Sequence, residues 1–68
     1  MKTIKEQIND LRIELFYCVT IWKNTIELQA NTNKEVLEYC NEIGINNFEL
    51  QPNGFLEGRI DNIRITLT

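Results

Sequence analysis

The chain has 68 residues, of which 43% are hydrophobic, with ten acidic and seven basic side chains and a net charge of −3. That length makes one domain over 1–68 with no room for a second core, and the apolar content excludes general disorder. Histidine and serine are both absent, which removes Ser-His-Asp and Cys-His nucleophilic systems and histidine-based metal sites, while the acidic balance argues against direct nucleic-acid binding.

Lys2 and Lys5 are followed by polar residues rather than an uninterrupted apolar run, so no secretory signal is expected. The most apolar window, 15–22, is far short of a membrane span. Thr3 with Glu6 three residues on has the pattern of a helix capping box. Ile4, Ile8, Leu11, Leu15, Cys18 and Trp22 then recur in alternating steps of four and three, the spacing of a packing seam on one helix face. This seam predicts one long helix over 2–30, broken near Lys23-Asn24. A rival pattern overlaps it. Leu11, Ile13, Leu15, Tyr17, Val19 and Ile21 alternate, and 16–22 is rich in strand-favouring residues. A short helix followed by strands at 11–22 and 25–30 would satisfy that pattern. The helix is preferred because the seam starts before the alternation, and Phe16, Cys18 and Trp22 deny a strand its clean polar face.

A second helix is expected over 33–43. Thr32 and Glu35 have capping-box spacing, and Val36, Leu37, Cys40 and Ile43 supply an apolar face. Gly44 stands where a helix ends in the left-handed conformation, with Ile45 positioned to close back on Cys40. The last third reads as β. Phe48 and Leu50 alternate with Glu49 and Gln51 before the turn residues Pro52-Asn53-Gly54. Leu56, Gly58 and Ile60 alternate with Phe55, Glu57 and Arg59; Asp61-Asn62 makes a second turn; Ile63, Ile65 and Leu67 alternate with Arg64 and Thr66. The expected fold is α+β, with two helices, one long and N-terminal and one short, packed on a three-stranded antiparallel meander in the order α-α-β-β-β. Cys18 and Cys40 are expected to be reduced core residues, too few for a secreted disulfide framework.

No glycine run forms a phosphate loop, and neither cysteine has flanking metal ligands, so no cofactor, metal or catalytic residue is expected. What remains are candidate contact residues. Tyr17, Trp22 and Phe55 are aromatic anchors if exposed; Phe55 faces outward if Leu56 and Ile60 face in, unless a bulge at Gly58 returns it to the core. Arg59 and Arg64 should project from the outer face of the last hairpin near Glu49 and Glu57, as cross-strand charge pairs or an anion contact. Glu35, Glu38 and Glu42 share one face of the second helix, a solvated surface or an acidic strip for a basic partner. The expected function is a small non-enzymatic cytoplasmic protein-binding module, an inhibitor or regulator of a larger partner, as small acidic proteins of phages and plasmids often are. The alternative is a homodimer through the long N-terminal helix. A weaker one is an acidic nucleic-acid mimic that blocks a DNA- or RNA-binding enzyme, against which the small net charge counts. Neither direct nucleic-acid contact nor a membrane is expected.

Overall fold

Thr3 caps the first helix, α1 (Ile4–Asp10), as its spacing predicts: its Oγ1 accepts from the Glu6 N–H at 3.2 Å, and Glu6 Oε1 accepts from the Thr3 N–H at 3.2 Å. The helix ends there. In this computed structural model, which describes residues 2–68, the backbone turns extended at Leu11 (φ −90°, ψ 147°) and passes through a single 3-10 turn, Ile13–Leu15. Two strands follow, β1 (Cys18–Trp22) and β2 (Thr25–Ala30), joined by a tight turn at Lys23-Asn24 in which Lys23 takes a φ of 57°.

The long helix over 2–30 is therefore overturned, and the alternation it competed with governs the second half of that stretch. Val19, Thr20 and Ile21 are β-branched and lose rotamer freedom in a helix, whereas β1 pairs with β2 along its whole length, Cys18 opposite Gln29 through Trp22 opposite Thr25. The apparent defect in the alternation, an apolar Phe16, has a local cause. The Tyr17 N–H donates to Gln29 O at 3.0 Å while Cys18 is the register partner of Gln29. Two residues opposite one make a bulge, which reverses side-chain parity and turns Phe16 into the core on the same side as Val19 and Ile21.

The second helix, α2 (Lys34–Glu42), lies within the expected range but is capped one residue later. Asn33 Oδ1 accepts from the Val36 N–H at 2.9 Å. Thr32 is engaged elsewhere: its N–H and Oγ1 both donate to Thr68 O, at 3.0 and 3.1 Å. The C-terminus closes as predicted. Gly44 has φ 94°, its N–H donates to Asn41 O at 3.1 Å, and the Ile45 N–H reaches Cys40 O at 2.8 Å, the paired bonds of a Schellman cap.

Three strands complete the chain: β3 (Glu49–Leu50), β4 (Leu56–Ile60) and β5 (Ile63–Leu67). They form the expected meander, but as part of a larger object. The sheet has five strands in the order β1-β2-β5-β4-β3, with β2 and β5 parallel and every other pair antiparallel. A three-stranded antiparallel meander carrying two helices is thus corrected to a mixed five-stranded sheet, because the stretch expected to continue the first helix supplies two strands. The parallel joint needs a long crossover, and α2 with β3 and β4 provides it.

One sheet face carries the core. Ile26, Leu28 and Ala30 of β2 lie opposite Ile63, Ile65 and Leu67 of β5, and pack with Phe16, Val36, Tyr39, Cys40 and Ile45. Gly58 of β4 pairs regularly with Ile65, so no bulge occurs there. A Cβ on Gly58 would fall 2.6 Å from Ile45 Cγ2 and 2.8 Å from Phe48 Cε1. The missing side chain is what lets Ile45 and Phe48 lie directly on the sheet.

Candidate interaction edge

The two outer strands of the sheet are unlike. At one edge, β3 has only two residues, one of them Glu49, and Pro52 follows shortly after it. Shortness, charge and proline are the devices that stop an edge from pairing with a foreign strand. Within its five residues, β1 has none of these: 16–22 carries no charge, proline or glycine.

Hydrogen bonding in the neighbouring strands shows which groups of β1 face outward. The Ile26 N–H donates to Asn62 O at 2.8 Å and the Thr68 N–H to Ala30 O at 2.9 Å, so Ile26, Leu28 and Ala30 direct their backbone toward β5. Backbone direction alternates along a strand, which leaves Thr25, Glu27 and Gln29 for β1; the Tyr17 bond to Gln29 agrees. Val19 and Ile21 lie opposite Leu28 and Ile26. Their N–H and C=O groups therefore point away from the sheet along its free edge. Their side chains lie on the helix-bearing face yet are only partly covered, 38% exposed for Val19 and 47% for Ile21. Tyr17 just before the strand and Trp22 at its end are 60% and 65% exposed. The edge thus joins free backbone groups to uncovered apolar side chains, the two ingredients of strand addition.

The opposite sheet face, formed by Glu27, Arg64, Glu57 and Arg59 among others, neutralises itself. Arg59 stands directly across from Arg64, and Glu57 lies 4.0 Å from the Arg59 guanidinium and 3.2 Å from Arg64 Nε; Glu27 lies 3.9 Å from Arg64. Arg64 Nε is close to Glu57 but not aligned for a hydrogen bond, and it is the buried side-chain polar atom left without one among the described residues. This ladder uses its charges internally.

The remaining candidates are dispersed. Tyr17 and Trp22 are brought to β1, and Trp22, counted in the helical seam, points to the outer face instead. Phe55 is half-buried at the entry to β4, and its N–H donates to Asn53 Oδ1 at 3.0 Å. Glu35 pairs with Arg12 at 3.3 Å and Glu38 with Lys34 at 3.9 Å, while Glu42 is exposed. The sequence reading missed Val19 and Ile21, whose signal was the uncharged alternating run itself. Cys18 is also corrected: it is free and half-buried on the outer face, whereas Cys40 is free and fully buried, its thiol pushed above the ordinary value by burial. A cleft of about 580 Å³ between α1 and the two hairpin turns is lined by Gln7, Asn24 and Asn62 among others. Its amides are already satisfied: Gln7 and Asn62 exchange bonds of 3.0 and 2.8 Å, and Asn62 Nδ2 donates to Asn24 O at 2.7 Å. Among the described residues, no His/Cys/Asp/Glu group could hold a metal ion, and no helix is long and apolar enough to cross a membrane.

No protein-family model matches the chain, and comparison with curated proteins and with solved structures finds no match.

Proposed function

We propose that this protein is a non-enzymatic protein-binding module whose contact element is the β1 edge, where an extended segment of a partner adds as a further strand. The observation that carries this reading is the pairing of outward backbone groups at Val19 and Ile21 with uncharged, partly uncovered side chains around them. Main-chain bonds to an edge give affinity, and alternate side chains give selectivity, so a short strand suffices without a pocket. The role that fits a domain of this size is inhibition or regulation of a larger protein, by covering a surface or completing a sheet. Two free thiols accord with a reducing compartment such as the cytoplasm. A homodimer through a long N-terminal helix is no longer a candidate, since α1 has seven residues.

The test compares the tagged native chain with Ile21→Lys, which places a charge on the edge, for capture of proteins from host lysate at low and high salt. A protein retained by the native chain and lost by the equally folded variant, with slowed amide exchange at Val19 and Ile21 in the reconstituted complex, supports strand addition. A partner held equally by both puts the contact surface elsewhere and refutes it.

A further inference from the structure

We infer that the β1 edge of one chain pairs with β1 of a second copy, antiparallel about a two-fold axis through Thr20, so that two sheets become one. The inference rests on the reading of β1 as a docking strand and names one occupant for it.

The edge is self-complementary in this register. Antiparallel pairing requires outward-directed residues to face one another, and here Val19 meets Ile21 of the second copy and Ile21 meets its Val19. Each such pair can exchange two backbone bonds, and Thr20 meets its own counterpart at a site without them. Directly opposed residues share a sheet face, so the partly exposed Val19 and Ile21 of both copies fall on the helix-bearing side and extend the two cores toward each other. On the outer side, Trp22, the most exposed aromatic of the edge, comes to lie across from Cys18 of the second copy, a sulfur–aromatic contact. No charge enters the paired stretch; Lys23, the nearest, falls beyond it, beside Tyr17 of the second copy rather than beside another lysine. The other edge is poorly suited to this, because a two-residue strand followed shortly by Pro52 offers too few backbone groups to pair. Covering Tyr17, Val19, Ile21 and Trp22 would bury on the order of 500 Å² per chain, below the roughly 800 Å² of a standard interface. The dimer is accordingly reversible and concentration-dependent.

Sedimentation of the native chain from about 10 μM to about 1 mM should show the average mass rising toward twice 8.0 kDa, and Ile21→Lys should hold it at one chain without loss of its dilute circular-dichroism spectrum. The register is read by oxidation. In a Cys18→Ser background, Thr20→Cys places thiols on the two-fold axis with Cα atoms about 4.5 Å apart, inside the range a disulfide spans. Val19→Cys in the same background sets them diagonally, about 7–8 Å apart, and should cross-link at least tenfold more slowly. A single-chain mass at every concentration overturns self-pairing, as does equal dimerisation of Ile21→Lys, or a Val19→Cys cross-link as fast as that of Thr20→Cys. A chain that stays monomeric but loses a captured protein on Ile21→Lys removes self-pairing and leaves strand addition standing; a dimer with no edge-dependent partner does the reverse.

Discussion

Alanine at Gly58 adds one methyl group where the fold leaves no space for it. The new Cβ would approach Ile45 Cγ2 at 2.6 Å and the Phe48 ring at 2.8 and 2.9 Å, all closer than carbon atoms tolerate. Ile45 is 1% exposed and held by the Schellman cap that closes α2, so it cannot retreat without disturbing that cap. Overpacking of this kind costs roughly 1–3 kcal/mol, and contacts this short place the substitution at the upper end. Alanine also relieves the conformational entropy of a strand glycine by roughly 0.5–1 kcal/mol, which leaves a net loss of about 2 kcal/mol. A chain of this size has roughly 3–10 kcal/mol to lose. The melting temperature followed by circular dichroism should therefore fall by about 8–16 °C, with the urea midpoint falling in parallel and its slope unchanged. Phe48→Leu on top of Gly58→Ala should recover part of the loss, because it shortens the ring that meets the new methyl; the double-mutant cycle would then show positive coupling. A midpoint within about 2 °C of the native one, or any rise, would refute the claim that β4 needs a bare backbone here.

Asn62 ties α1 to both hairpin turns, so Asn62→Ala should cost about 1–2 kcal/mol, measured by urea unfolding. Tyr39→Phe should cost about 1 kcal/mol in the same assay, because Tyr39 Oη accepts from the Arg12 N–H at 3.0 Å and that donor would be orphaned. Lys23→Gly should raise the melting temperature by a few degrees: a left-handed φ of 57° strains a lysine by roughly 1–2 kcal/mol, which exceeds the entropy glycine adds to the unfolded chain. Cys18 should react with a thiol reagent in the folded protein, whereas Cys40 should require denaturant. Burial raises the Cys40 value above 9.0, so the folded chain holds this proton more tightly; the resulting stabilisation is full below that pH and declines as pH rises past it, as alkaline melting curves would show.

Signals confined to a few neighbouring residues were read correctly from the chain. Thr3 with Glu6, Gly44 with Ile45, and the turns at Pro52-Asn53-Gly54 and Asp61-Asn62 each act through bonds that close within one turn, so they hold whatever surrounds them. The α2 helix and the β4–β5 hairpin follow from them. Between 11 and 30 two periodicities coexist, and nothing local decides between them. The choice falls to pairing partners distant in sequence, Ile26 with Ile63 and Leu28 with Ile65, which make β2 a central strand and draw β1 out beside it. Strand order also decided exposure. The same β-branched, uncharged run would have been buried in the middle of the sheet; at its rim Val19, Ile21 and Trp22 stand partly in solvent, and Val19 and Ile21 have backbone groups unspent. Elements whose hydrogen bonds are local are legible in the chain, and so is the lack of histidine- and serine-based chemistry. Which strand became an edge was set by long-range pairing, which no short window of residues contains.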